Sequence, residues 1–393
     1  MIVGICGKAN VGKSTFFKAA TLADTYIANY PFATIKPNTG VAYVNVECVD
    51  KEFRTQCNPR EGFCVDHNRF VPVQLIDVAG LVPGAHAGKG LGNQFLSDLN
   101  QADVLIEVID AAGATNERGE PTATNARDPA EDIKFLEYEL DMWYAQVLQR
   151  SWDKAKQRIH LKEDAVKVIT QQLSGMKVTE EMVKAVVAKL PEKISEWSSK
   201  VMEEIASALR RTSKPMIIAA NKVDIPEAEE NVKRLQKQFP QLKIIPVAAD
   251  AELALREATK KELIQYIPGS GAFEMKKSLP KVQADALQYI KDNVLGKCGS
   301  TGVQECLNIA VFDVLKYIAI FPGGVNKLED KDGNVLPDCF LLPQGATALD
   351  FAFRIHSDIG NNFVKAVDVK TKRAVGKDHI LKHRDVIEIM TKK

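Results

Sequence analysis

The chain has 393 residues, 45% of them apolar, and its 52 basic and 51 acidic side chains leave a net charge of +1. That length predicts two or three domains with real cores, and the charge balance excludes a global basic field drawing the protein onto nucleic acid. No run approaches the roughly 18 apolar residues of a membrane span, and residues 1–6 are too few for a secretory signal, so a cytoplasmic protein without membrane contact is expected.

Residues 1–6 read as a buried strand. They lead into Gly7-Lys8-Ala9-Asn10-Val11-Gly12-Lys13-Ser14, which fits the phosphate-loop pattern G-x-x-x-x-G-K-[ST] in its strand-to-helix context, with Thr15 opening an amphipathic stretch. A tight glycine turn points successive N–H groups inward, and the following helix adds the positive end of its dipole. Residues 7–15 are therefore candidate nucleotide contacts. Lys13 is expected at the β and γ phosphates, and the Ser14 hydroxyl on Mg²⁺.

Next, residues 29–34 form a proline-broken loop whose Thr34 hydroxyl is the candidate switch residue and second magnesium ligand, with Thr39 the runner-up. Residues 71–76 read as a strand delivering Asp77-Val78-Ala79-Gly80, a D-x-x-G element. Asp77 is expected to hold the magnesium through water, and the Gly80 N–H to meet the γ phosphate. Between these lie Cys48, Cys57, Cys64 and His67. Their spacing is not that of a standard zinc finger. They are open to reading as zinc ligands, as a Cys57–Cys64 disulfide or as ordinary thiols, and no structural zinc is expected.

Residues 116–212 are too many for a loop and predict a helical insertion. Asp128-Pro129-Ala130-Glu131 has the form of an N-cap, a first-turn proline and a returning glutamate, followed by Ile133, Leu136, Leu140, Trp143, Tyr144 and Val147 at helical spacing. Residues 150–173, 179–189 and 191–211 carry similar periodicity. Trp143, Tyr144 and Trp197 fit a core better than a ligand platform. Lys154, Lys156, Arg158, Lys162, Lys167 and Lys177 form either a local basic face or a solvated one.

The strand-like residues 215–220 deliver Asn221-Lys222-Val223-Asp224, an N-K-x-D spacing. An ionised Asp224 accepts two hydrogen bonds and so matches the N1–H and exocyclic amine of guanine, while the Asn221 amide serves the opposite edge. Adenine lacks that donor pair, so GTP is favoured over ATP. The alternative is an ordinary helix N-cap at Asp224. After residues 243–246, backbone N–H groups at Ala248 and Ala249 are expected near the guanine oxygen. Further on, a helix over residues 285–295 precedes a turn-rich end with Gly323-Gly324 and Asp332-Gly333-Asn334. There Asp350 is expected at a helix N-terminus, with Phe351, Ile355 and Ile359 on one stripe against strands 363–369 and 386–390. His356, without an implied nucleophile or carboxylate partner, is read as a structural or surface residue.

Through Tyr30-Pro31-Phe32-Ala33-Thr34, Pro37-Asn38-Thr39-Gly40 and the segments 77–85 and 88–96, the chain resembles translation-factor-related GTPases of the Obg and YchF branch. Residues 342–352 and 355–360 resemble a TGS domain. The resemblance implies an α/β fold: a P-loop NTPase G domain with a mostly parallel sheet (1–115 and 213–275), the helical insertion (116–212), a helical connector (276–304) and a C-terminal β-grasp TGS domain (305–393). It places Leu81 where Ras-like enzymes carry a water-orienting glutamine, and likens Asn10 to the asparagine that holds K⁺ in related enzymes. Asn10 is otherwise a turn residue. The catalytic set is then Lys13, Asn10, Thr34 and Gly80. The implied activity is slow, potassium-stimulated hydrolysis of GTP with Mg²⁺ as a molecular switch. Implied partners are the ribosome or RNA, met through the TGS domain and the insertion. A nucleotide-loaded docking protein with negligible turnover and a YchF-type ATPase are the alternatives; ATP-using members are expected to lack the N-K-x-D spelling present here.

Overall fold

A computed structural model describes residues 1–21, 39–78, 98–150, 152–190 and 197–392. Thr34, Gly80 and Leu81 lie outside the described residues. The first strand, β1 (Ile2–Cys6), lies at the centre of a seven-stranded sheet with β2 (Thr39–Glu47), β3 (Phe63–Val65), β4 (Asn68–Asp77), β5 (Val104–Asp110), β6 (Met216–Asn221) and β7 (Lys243–Val247). The order is β2-β4-β1-β5-β6-β7, with β3 paired to β4. The run β4-β1-β5-β6-β7 is parallel, and β2 closes one side antiparallel to β4. Parallel strands covered on both faces need near-continuous apolar sequence, and β5 is buried along its whole length. Leu105 and Ile109 face one core, while Val104, Ile106 and Val108 face the other, as the two-residue period of a strand requires.

The helices α1 (Lys13–Thr21), α2 (Ala130–Arg150), α7 (Ala228–Gln238) and α8 (Ala249–Lys260) cover this sheet. Between α2 and α7 stand α3 (Trp152–His160), α4 (Ala165–Leu173), α5 (Glu180–Val187) and α6 (Ser199–Ser213). Helix α2 joins two cores. Ile133, Leu136 and Leu140 pack under the sheet, while Tyr144 and Leu148 join Ile169, Leu173, Val183, Trp197, Ile205 and Leu209 in the helical unit. Trp197 stacks on Trp152 with ring centroids 5.6 Å apart, in keeping with a core role. Of the basic residues flagged there, Arg158 pairs with Glu163, and Lys177 pairs with Asp103 and donates to Gln101 O.

The helical expectation fails at three places. Residues 116–129 are not helical; the chain turns there, with Gly119 and Asn125 at positive φ, and Thr115 and Pro121 bridge. Asp128 does cap α2, accepting the Ala130 N–H at 3.0 Å, but the Glu131 carboxylate pairs with Lys134 at 2.9 Å instead of returning to the cap. The stretch 150–173 breaks into α3 and α4 because Lys162 adopts φ +68° and Asp164 caps a new helix through the Val166 N–H.

After α8 come the hairpin β8 (Ile264–Tyr266) and β9 (Phe273–Met275), then α9 (Lys281–Ile290), which widens into a π turn over Lys291–Leu295. The short α10 (Val303–Asn308) seats Val303, Cys306 and Leu307 in the sheet core and ties its edge through Gln304 Nε2 to Tyr43 O at 2.8 Å.

The C-terminal unit is a second sheet of five strands, β10 (Tyr317–Pro322), β11 (Phe340–Pro343), β12 (Phe363–Asp368), β13 (Arg373–Val375) and β14 (Val386–Thr391), in the order β11-β10-β14-β12-β13. Helix α11 (Ala348–Ile355) lies across it and buries Phe351 against Ile318, Ile320, Leu342 and Ile387. Asp350 is the third helical residue of a capping box begun by Thr347. The helix stops at Ile355. His356 is extended there, and its Nδ1 accepts the Asp358 N–H at 3.1 Å to begin α12 (Ser357–Asn361). Ile359 therefore lies on a separate helix and not on the expected stripe. The other face of β10, Ala319 and Phe321, enters the core of the first domain. Among the described residues no helix is long and apolar enough to cross a membrane.

Candidate nucleotide-binding site

The carboxyl ends of β1, β4, β5, β6 and β7 open on one edge, where α/β sheets place ligands. An open cavity of about 280 Å³ lies there, lined by Asn10, Gly12, Lys13, Ser14, Thr15, Asn221, Lys222 and Asp250. Glycine is required at two of the loop positions. Gly7 has φ +137°, and a Cβ on it would stand 2.3 Å from Val108 O; Gly12 has φ +99°, and a Cβ on it would stand 2.2 Å from Asn221 Nδ2.

Asn221 comes that close because it holds three loops together. It is 2% exposed; its Nδ2 donates to Val11 O at 2.9 Å and its Oδ1 accepts the Ala249 N–H at 3.0 Å. One amide hydrogen and one lone pair remain for another partner. The neighbouring Lys222, at φ +69°, pairs with the buried Asp110 at 2.8 Å.

Within the phosphate loop, Lys13 Nζ folds back onto Lys8 O at 2.6 Å. Burial pushes its ammonium below the usual lysine range, and the Asp77 carboxylate opposes that shift. Burial likewise raises Asp77 against the pull of Lys13. Asp77 Oδ1 is buried and has no hydrogen-bond partner among the described residues, while Ser14 is exposed. A buried unpaired carboxylate oxygen, with an exposed hydroxyl next in sequence to Lys13, is the donor chemistry a hard cation such as Mg²⁺ takes. The Lys8 side chain instead turns inward to a buried ion pair with Asp132 at 2.9 Å, so only its backbone faces the loop. Asn10 has φ +60° and donates from Nδ2 to Gly119 O at 2.8 Å, which secures the 116–129 segment against Ala9 and Asn10.

Asp224 is not a helix cap. Helix α7 begins at Ala228 behind Glu227, and Asp224 contributes only its carbonyl, which accepts Tyr289 Oη at 3.0 Å. Its carboxylate is left without a partner among the described residues.

Comparison with known proteins agrees with this geometry. Residues 2–139 match the family described as 50S ribosome-binding GTPase, residues 219–324 the Obg-like GTPase YGR210-like, G4 motif-containing domain, and residues 329–391 the TGS domain. A GTP-binding protein of Methanocaldococcus jannaschii is 46% identical over 391 residues, which are 99% of each chain. The chain belongs to the Obg/YchF family of GTP-binding proteins. The crystal structure of a GTP binding protein from Pyrococcus horikoshii OT3 matches this Obg/YchF-family fold over 100% of both chains, with a TM-score of 0.78 at 39% identity. A ribosome-binding ATPase YchF of Mycoplasma genitalium is 28% identical over 362 residues, 92% of this chain and 86% of that one.

One sequence expectation changes and two readings left open are narrowed for this Obg/YchF-family member. The N–H groups of Ala248 and Ala249 are already bonded, to Thr301 O at 3.0 Å and to Asn221 Oδ1, so neither is free for a base. Of the next N–H groups in the first turn of α8, those of Asp250 and Ala251 have no intrahelical partner, while that of Glu252 donates to Ala248 O at 3.1 Å. Among the cysteines, Cys57 and Cys64 form no disulfide, and the near pair is Cys48 and Cys57 at 3.5 Å. Finally, His67 contacts Asp50 Oδ1 at 2.9 Å and does not join the thiols directly. Sequence reading missed Asp110, Asp132 and Tyr289. Only Asp110 left a local signal, as an acid ending an apolar run before Ala111-Ala112-Gly113.

Proposed function

We propose that this cleft binds GTP with Mg²⁺ and hydrolyses it slowly to GDP and phosphate, so that the protein acts as a cytoplasmic molecular switch. The observation that carries the reading is the Asn221 tie between the phosphate loop and the loop after β7, beside an Asp224 carboxylate with no structural partner among the described residues. Two acceptor oxygens there pair with the N1–H and exocyclic amine of guanine, with the first-turn Asp250 N–H, on the cavity wall, as a donor for the ring oxygen. Residues 7–15 receive the phosphates. Lys13 exchanges its contact with Lys8 O for the β and γ oxygens.

Ser14 and Asp77 fit the magnesium, joined by Thr34 in the GTP state; the cation neutralises charge on the transferring phosphoryl group. Gly80 and Thr34 are the switch contacts released on hydrolysis. With Leu81 in the place of a water-orienting glutamine, turnover is slow. Asn10 Oδ1 is the atom left for a potassium ion, whose added charge is worth roughly 10³ to 10⁵ in rate if it acts as an arginine finger does.

The name of the Mycoplasma relative supports a ribosomal partner, with the TGS domain and the helical insertion as the docking parts. The same name favours a second reading, ATP hydrolysis, against which Asp224 argues. Multiple-turnover phosphate release tests the activity. GTP at saturation should give turnover well above ATP, faster in K⁺ than in Na⁺, and the GTP form should co-sediment with ribosomes more than the GDP form. Release from ATP alone, or none from GTP, would overturn the reading.

A further inference from the structure

At the far end of β2, opposite the nucleotide edge, three thiols and a carboxylate converge. Cys48 follows β2 directly and donates its N–H to His67 O at 2.7 Å. A 3₁₀ turn over Val49–Lys51 then buries Asp50 completely. Cys57 returns to it, its N–H donating to Asp50 Oδ2 at 2.9 Å, and Cys64 on β3 places its Sγ 4.0 Å from the same oxygen. One ligand atom from each of Cys48, Asp50, Cys57 and Cys64 lies within 4.8 Å of all the others.

These separations suit a tetrahedral thiolate ion. Two sulfurs each about 2.3 Å from zinc stand roughly 3.8 Å apart at the tetrahedral angle; Cys48 and Cys57 are 3.5 Å apart, far beyond a disulfide bond. The surrounding shell is built as well. Asp66 and His67 form a two-residue turn at φ +48° and +59°, a left-handed backbone that Asp and His adopt more readily than most residues, and this brings His67 Nδ1 to Asp50 Oδ1. Ligating carboxylates in such sites are themselves held by hydrogen bonds, as His67 holds Asp50 here. Arg69, fully buried, sets Nη1 3.8 Å from Cys57 Sγ and offsets the negative charge of the cluster.

Arg69 also shows what the cluster supports. The same guanidinium donates to Leu336 O and Pro337 O, each at 3.0 Å, and the cysteine loop donates Asn58 N–H to Val335 O at 2.9 Å and Arg60 N–H to Pro337 O at 3.0 Å. The loop is thus the seat of the segment leading into β11.

We propose that Cys48, Cys57, Cys64 and Asp50 form a tetrahedral structural site for one Zn²⁺, which holds the 48–67 loop in the shape that seats the C-terminal domain. The metal is bound by thiolates, so binding releases their protons to solvent.

The test uses the full chain, purified under reducing conditions, freed of metal by chelator and titrated with Co²⁺. Expected are a thiolate-to-cobalt charge-transfer band saturating at one equivalent, its loss on adding one equivalent of Zn²⁺, and at least tenfold slower hydrogen exchange of the Asn58 and Arg60 amides with metal than without. Cys64→Ser, at the half-buried rim, should lose most of the band, while Cys298→Ser keeps it. The wild-type titration stands even if Cys64→Ser folds poorly. Absence of the band in reduced wild-type protein, a Cys48–Cys57 disulfide in native material, or an undiminished band in folded Cys64→Ser overturns the proposal.

Discussion

Replacing Asn221 by alanine removes one side chain and two buried hydrogen bonds, to Val11 O and from the Ala249 N–H. Each such bond contributes about 1 kcal/mol net, and a partner left unpaired in the interior costs about 1–3 kcal/mol. Asn221 is almost wholly enclosed, so water reaches these groups poorly, and the joint loss comes to about 3 kcal/mol. That is roughly a hundredfold in the equilibrium between held and released loops. Hydrogen exchange of the Ala249 amide in nucleotide-free protein reads it directly, because no base is present to complicate the result. Nucleotide affinity should fall by a comparable factor, since binding must then order the loops itself. Asn221→Asp keeps the acceptor for Ala249 but faces Val11 O with another oxygen, so Ala249 should stay protected while affinity still drops. If Asn221→Ala exchanged Ala249 at the wild-type rate and bound GTP within twofold of wild type, the three-loop tie would be wrong.

Lys8→Met strands the buried Asp132, which among the described residues keeps only Arg127 at 3.4 Å, and should destabilise the first domain by about 3–5 kcal/mol. The double variant Lys8→Met/Asp132→Leu should recover most of that loss in thermal unfolding; a single variant melting with wild type would refute the pairing. Glu107 is buried on β5, and burial, with Asp132 and Glu137 nearby, pushes its carboxyl well above the usual 4.5. The folded state thus holds a proton that the unfolded chain releases, so this group costs stability as pH rises through that window. Glu107→Gln should therefore gain stability relative to wild type as pH rises above the usual 4.5, and a constant difference across denaturant titrations over that rise would refute the assignment.

Much of the nucleotide edge was legible because its chemistry is local. The phosphate loop, the D-x-x-G aspartate and N-K-x-D each follow a run of apolar residues, and β1, β4 and β6 deliver them as read. Contacts that depend on distant partners were not legible. Nothing near Asn221 shows that it will bond Val11, 210 positions away, nor that Ala249 will give it the N–H expected to serve a base. Helix limits failed where single residues chose a turn: Lys162 broke one helix, and His356 ended another and capped the next. The segment 116–129 looked like the start of an insertion by length alone, yet it lies against the phosphate loop through Asn10 and Gly119. Likewise, the four-residue cluster below β2 needed Asp50, which no cysteine spacing points to.

The central claim is that one cleft clamps a guanine nucleotide, with Asp224 reading the base. Calorimetric titration of wild type and Asp224→Asn with GTP, ATP and xanthosine triphosphate tests it most directly. Wild type should prefer GTP to ATP by roughly 10⁴ or more, as a site with buried polar groups does, and Asp224→Asn should lose GTP and gain the xanthine nucleotide, whose 2-oxo group accepts the amide hydrogen. Equal binding of ATP and GTP by wild type, or an Asp224→Asn variant with unchanged preference, would contradict the account.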